Sequence, residues 1–101
     1  MAIDLFCYST RSAEELRISL AGISAAHPQL FSSKFLIRSV RDADELDREI
    51  AFEHGLLPRS KFLISLNDKS AAASVKDIPL LLKTALGENQ ILVLFENEVE
   101  M

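Results

Sequence analysis

With 101 residues, of which 49% are hydrophobic and 26% charged, the chain has the composition of one globular domain. Its single cysteine excludes an internal disulfide, and no apolar run approaches the roughly 20 residues that cross a bilayer. Fifteen acidic against eleven basic residues give a net charge of -4, which argues against nucleic-acid binding because phosphates require a basic face. Asp4 stands where a signal peptide would be basic, so the sequence predicts a cytoplasmic protein.

The first third of the chain predicts one strand followed by one helix. The run from Ile3 to Tyr8 is mostly apolar and indicates a strand. Ser12 and Glu15 have the spacing of a capping box, which predicts a helix start. His27-Pro28 should end this helix, because the residue before a proline avoids the α region.

The middle third repeats this alternation. Lys34 to Val40 is predicted as the second strand, and Lys61 to Leu66 as the third. Between them, Asp42 with Glu45 at the capping-box position predicts a helix that ends at Gly55. The consecutive apolar residues 62–64 indicate burial on both faces, which is typical of a covered parallel sheet.

The last third predicts a further helix and strand. Residues 70–76 fit either an alanine-rich loop or one helical turn. Asp77 is predicted to cap a helix with Pro79 in its first turn, and Gly87 to end it. Residues 91–95 read as the last strand, followed by the acidic tail 96–101.

These elements predict a single α/β domain over residues 1–101. The β-α-β-α-β-α-β pattern favours a four-stranded, mostly parallel sheet covered by three helices. The predicted core residues are Phe35, Ile37, Phe62, Ile64, Val93 and Phe95. The stretch from Phe35 through Gly55 to Asn67-Asp68, with Cys7 as a single thiol, is loosely similar to thioredoxins. The resemblance implies a thioredoxin-like or flavodoxin-like outline.

A sequence echo links two segments of the chain. Residues 27–37 and 54–64 share His, Leu, Ser, Lys, Phe, Leu and Ile at matching positions. One interpretation is two related units that present equivalent loops. The alternative is convergence, because any helix end, loop and buried strand favour such residues.

Cys7 is one candidate for chemistry. It lies near the end of the first strand, just before a helix N-terminus, where thiol pKa values fall and anions bind. With its neighbour Leu5-Phe6 and the run Ser9, Thr10, Arg11 and Ser12, it resembles the B component of sugar phosphotransferase systems, although the glycine of that phosphate loop is missing. The resemblance implies a phosphorylated Cys7 and an anion-binding run 9–12. The alternative is a buried, structural thiol.

The second helix carries the other candidate site. Acidic residues are dense along it, and we expect Asp42, Asp44, Glu45 and Asp47 to bind a basic protein partner through electrostatic steering. The alternative is a solvated helix face. The acids of the tail could extend this surface or discourage pairing at the edge of the last strand.

Three classes of function remain open. The first is a small non-enzymatic domain that docks on a protein, for example an immunity or antitoxin protein that covers a nuclease toxin's basic active site. The second is a thiol-dependent enzyme or phosphocarrier that uses Cys7. The third is a regulatory domain for a small anionic ligand. No Cys/His cluster has metal spacing, and His27 and His54 lie at helix ends where a structural role suffices, so we expect no metal or cofactor. The first class is favoured because no catalytic motif is present.

Overall fold

Five strands form one sheet in the computed structural model, which describes residues 4–31, 34–95 and 99–100. The strands are β1 (Asp4–Ser9), β2 (Phe35–Asp42), β3 (Ser60–Leu66), β4 (Ile91–Phe95) and β5 (Val99–Glu100). Their order in the sheet is β2-β3-β1-β4-β5, and every neighbouring pair is antiparallel. β1 therefore lies at the centre, hydrogen-bonded to β3 on one side and to β4 on the other.

Helices cover both faces of the sheet. They are α1 (Ala13–Ala26), α2 (Pro28–Phe31), α3 (Glu45–Phe52), α4 (Asp77–Leu86) and a 3-10 helix (Lys69–Ser74). α1 and α4 pack on one face over Leu5, Phe62 and Val93, whereas α3 packs on the other face beside Tyr8 and Leu94. Among the described residues, no helix combines the length and apolarity needed to cross a membrane.

The prediction of a mostly parallel sheet, and with it the thioredoxin-like or flavodoxin-like outline, is wrong. A parallel connection needs a helix that runs back along the length of a strand, and an eight-residue helix such as α3 spans only about 12 Å. Asp42 at the end of β2 instead faces Ser60 at the start of β3. The chain leaves and re-enters the sheet at the same end, which makes the two strands antiparallel.

Of residues 62–64, for which burial on both faces was predicted, Phe62 and Ile64 are buried and Leu63 is only partly buried. Consecutive residues are fully buried instead in β1 and β4, although their neighbours are antiparallel. The first four residues of β4 are all buried, and so are four of the six in β1. Of the predicted core, Phe35, Phe62, Ile64 and Val93 are buried, while Ile37 and Phe95 are partly buried.

Most element boundaries follow from local chemistry. The Ser12–Glu15 capping box starts α1, and His27 ends it. After α3, the backbone N–H of Leu56 donates to the Ala51 carbonyl and that of Gly55 to the Phe52 carbonyl, which is the hydrogen-bond pattern of a Schellman motif. Gly55 supplies the required positive φ of 84°.

The C-terminal third differs from its prediction in two places. Asp77 is the first residue of α4 rather than its cap, and Lys76 in the cap position makes no side-chain capping bond. The ambiguous segment before it is the 3-10 helix. In the predicted acidic tail, residues 99–100 form β5 beside Leu94 and Phe95, while residues 96–98 and 101 lie outside the described residues.

β2 contains a β-bulge, which changes the register of its pairing with β3. Arg38 pairs with Leu63 and Arg41 with Lys61, so Ser39 and Val40 together lie opposite a single residue of β3. Ser39 takes a positive φ of 59° at this bulge. The strand consequently runs on to Asp42, which was predicted to be a helix cap.

The interpretation of the sequence echo as two units with equivalent loops is wrong. Its strand halves are β2 and β3, which lie side by side in opposite directions with Ile37 facing Ile64. The loops that precede them therefore lie at opposite ends of the sheet. Convergence on residues that suit a buried strand stays the alternative prediction for the echo.

Candidate functional site

The N-terminus of α3 is built by a reciprocal pair of aspartates. Asp44 is the N-cap, and its Oδ1 accepts the backbone N–H of Asp47 at 2.9 Å. Asp47 Oδ2 in return accepts the backbone N–H of Asp44 at 2.9 Å. The capping box thus lies two residues beyond the predicted Asp42–Glu45 pair, because Asp42 belongs to β2.

Asp47 is buried in an ion pair rather than offered to a partner. Its Oδ2 lies 2.6 Å from the Nζ of Lys61, and only 7% of the Asp47 side chain and 18% of the Lys61 side chain are exposed. Asp44 Oδ2 lies 3.9 Å from the same ammonium. The ion pair links α3 to β3, and Asp47 therefore helps to fix the position of the helix on the sheet.

The other acidic residues around α3 face solvent. Asp42 and Glu45 are exposed, and so are Glu49 and Glu53, which follow Glu45 at four-residue spacing and share its side of the helix. The Asp44 side chain is 67% exposed. Hydrogen bonds from Asp47, first of all from its backbone N–H, hold the pKa of Asp44 below its ordinary value, with Lys61 and Arg41 contributing positive charge. These five carboxylates, which we call the acidic rim, form a negatively charged edge.

An apolar cleft of about 120 Å³ opens beside α3. Phe6 and Leu63 from the sheet line it, together with Leu46 and Ile50 from the helix. The Asp47–Lys61 pair lies at its polar side, and Arg41 and Ser39 contribute from the bulged part of β2. Sequence reasoning missed this cleft. The Leu46 side chain on its wall is 63% exposed.

The run predicted to bind an anion is engaged within the chain. The buried Ser9 Oγ accepts the Arg11 backbone N–H at 3.1 Å, and Thr10 donates its hydroxyl to Gln90 at 2.9 Å. Ser12 caps α1, and the Arg11 guanidinium donates to Ser19 at 3.2 Å. The structure brings the four residues together, but these hydrogen bonds join them to other groups of the same chain and not to a ligand.

Cys7 lies in the larger core cluster with no exposed surface. Burial raises the pKa of its thiol far above the ordinary value, so the sulfur is a neutral thiol at physiological pH. Its Sγ lies 3.7 Å from the Leu5 carbonyl oxygen. Within residues 4–31, 34–95 and 99–100, no group of three His, Cys, Asp or Glu side chains could hold a metal ion. This geometry favours the structural interpretation of the thiol.

Comparison with known proteins identifies the family. The sequence model described as "CDI System Immunity Component" matches residues 1–99. The chain belongs to this family. Immunity protein CdiI-2 of Burkholderia pseudomallei (strain 1026b) is 45% identical over 98 residues, which cover 97% of both proteins. A chain of the solved CdiA-CT/CdiI toxin and immunity complex from Burkholderia pseudomallei matches with a TM-score of 0.93 at 43% identity, over 97% of this chain and 95% of that one.

The CDI immunity family assigns the class of function. The chain is a non-enzymatic immunity protein that binds a partner, which confirms the first of the three classes considered above. Its described surface offers two features suited to a protein partner, the acidic rim and the cleft beside it. The acidic rim was visible in the sequence as a dense run of carboxylates. The cleft is lined in part by the bulged residue Ser39, for whose positive φ the sequence carries no local signal.

Proposed function

We propose that this immunity protein binds a CdiA-CT toxin and neutralises it by docking the acidic rim against a basic surface of the toxin. The observation that carries the proposal is the match along 97% of the chain to a structure solved as a toxin and immunity complex. The cytoplasm is the proposed location, since the one thiol of the chain is free and buried, as suits a reducing compartment.

The acidic rim suits a partner of opposite charge. Three of the four residues expected to bind the partner, Asp42, Asp44 and Glu45, lie exposed where α3 begins. Asp44, whose pKa lies below its ordinary value of 3.8, is ionised at physiological pH. Exposed charges at the edge of an interface mainly raise the association rate, and salt screens their effect. A basic toxin surface would therefore be steered toward this end of the sheet.

The test compares two exposed first-turn glutamates. Glu45→Lys reverses a charge in the first turn of α3, and Glu14→Lys reverses one in the first turn of α1 on the opposite face of the sheet. Both changes alter net charge equally and forfeit a similar favourable helix-dipole interaction. We expect Glu45→Lys to slow association with the CdiA-CT toxin of the same system by roughly five-fold at low ionic strength, with dissociation nearly unchanged.

Association and dissociation rates are measured by stopped-flow mixing and biolayer interferometry at low and at physiological ionic strength. The double variant Glu45→Lys with Glu49→Lys should enlarge the effect and flatten the salt dependence. Equal association rates for Glu45→Lys and Glu14→Lys would remove the acidic rim from the interface. A wild-type chain that does not bind the toxin at all would refute the proposed function itself.

A further inference from the structure

The cleft beside α3 is mostly apolar, open and adjacent to the acidic rim. Its floor and wall are formed by Phe6, Leu63, Ile50 and Leu46, and the first three of these are only partly buried. Leu46, which is 63% exposed, directly follows Glu45 of the acidic rim. On the polar side, Asp47 and Lys61 neutralise each other at 2.6 Å, and Arg41 adds one positive charge.

The bulge in β2 lies beside this cleft. Ser39 and Val40 oppose one residue of β3, and Ser39 and Arg41 belong to the lining of the cleft. Farther along the same face of the sheet, Leu36 and Arg38 are exposed. This part of the sheet face is therefore accessible to a protein partner.

The volume of the cleft fits one apolar side chain. At about 120 Å³ it is close to the cavities of roughly 150 Å³, lined by aliphatic and aromatic groups, that bind a benzene molecule. Protein interfaces draw most of their binding energy from a few such anchors, which enter a pocket and are surrounded by polar contacts.

We propose that the CdiA-CT toxin inserts one aliphatic or aromatic side chain into this cleft, next to basic residues that meet the acidic rim. The proposal rests on the proposed function and names the site on this protein at which a toxin side chain would be anchored. The two surfaces would then affect different rates. The charges of the acidic rim govern the association rate, and the desolvated anchor side chain governs the dissociation rate.

A matched pair of exposed leucines tests the anchor. Leu46→Ala removes the wall of the cleft, whereas Leu80→Ala removes a leucine of similar exposure, 69%, from α4 on the opposite face. Both should fold normally because neither side chain is buried. We expect Leu46→Ala to speed dissociation of the toxin at least ten-fold and to leave association and its salt dependence unchanged, and we expect Leu80→Ala to match the wild type.

A second variant fills the cleft instead of opening it. Leu63→Phe adds a ring to the floor and should also speed dissociation, provided that far-UV circular dichroism and the urea midpoint show a folded chain. If it does not fold, the Leu46→Ala result decides alone. Dissociation from Leu46→Ala at the wild-type rate would overturn the anchor. A failure of this kind, with Glu45→Lys still slow to associate, would leave the proposed function standing.

Sedimentation of the free chain tests whether a second copy of this chain occupies the cleft. If the wild type forms a dimer that Leu46→Ala separates, the cleft binds a second copy of this chain and the toxin anchor is refuted. We expect both the wild type and Leu46→Ala to be monomers at micromolar concentration.

Discussion

Asp47→Ala should be among the most destabilising single substitutions near α3. The carboxylate accepts the Asp44 backbone N–H at 2.9 Å and pairs with the Lys61 ammonium at 2.6 Å. Alanine removes both interactions, which the same Oδ2 atom makes. It leaves an ammonium on a side chain that is 18% exposed, with Asp44 Oδ2, 3.9 Å away, as the remaining carboxylate among the described residues.

The expected magnitude follows from these two losses. The capping hydrogen bond contributes about 1 kcal/mol. Breaking a buried ion pair costs about 3–5 kcal/mol, and the residual exposure of Lys61 together with the nearby Asp44 reduces this to about 2–3 kcal/mol. The total of about 3–4 kcal/mol is a large part of the roughly 5–15 kcal/mol available to a domain of this size.

The assay is urea unfolding followed by far-UV circular dichroism, since the chain has no tryptophan. Asp44→Ala is the matched control. It removes the other half of the capping box and leaves the Asp47–Lys61 ion pair intact, so its loss of stability should be clearly smaller. The double variant Asp47→Ala with Lys61→Met should recover about 2 kcal/mol relative to the sum of the single changes, because no unpaired buried charge remains.

Two results would contradict this reasoning. The first is a decrease in the free energy of unfolding for Asp47→Ala that equals the decrease for Asp44→Ala, with the same dependence on urea concentration. The ion pair would then contribute nothing beyond the capping hydrogen bond. The second is an interaction free energy within about 0.5 kcal/mol of zero in the double-variant cycle, which would make the two residues independent.

Three further outcomes are expected. Phe62→Ala, at a core position that is 1% exposed, should cost about 3–5 kcal/mol in urea unfolding, and a loss near zero would contradict the core assignment. Cys7 should react slowly with iodoacetamide in the native chain and quickly in urea, because burial raises its pKa and excludes the reagent; rapid native labelling would reopen a catalytic role. The pKa of Asp44 is lowered from 3.8 in the folded chain, so its contribution is present above pH 3.8 and is lost as the pH falls through the lowered value. Asp44→Asn keeps the cap, and its stability deficit should therefore shrink on acidification; a deficit independent of pH would count against the shift.

Elements whose signals are local were predictable. Ser12 and Glu15 cap α1 as their spacing indicates, and the turn at Gly55 closes α3 as expected. The strand through Phe62 was also visible, because three consecutive apolar residues need cover on both faces. The immunity-type function was predicted from size, acidity and the absence of catalytic motifs.

Features that depend on distant partners were not predictable. Asp42-x-x-Glu45 and Asp44-x-x-Asp47 are both acceptable capping boxes by spacing, and the choice depends on Lys61 and on how far β2 extends. Strand direction likewise depends on where each connection re-enters the sheet, which the alternation of strands and helices does not determine. The bulge beside the cleft lies at Ser39, a residue type with no strong preference for a positive φ.

The central place of β1 has a consequence for synthesis in the cell. β1 is synthesised before both of its neighbours, since Leu5 pairs with Ile64 of β3 on one side and with Phe95 of β4 on the other. Such long-range pairing is slow to form, and translation proceeds at roughly 5–20 residues per second. The nascent chain therefore has no complete sheet until its final strands leave the ribosome. A fragment that stops after α4 would expose one full edge of its central strand, because it lacks β4.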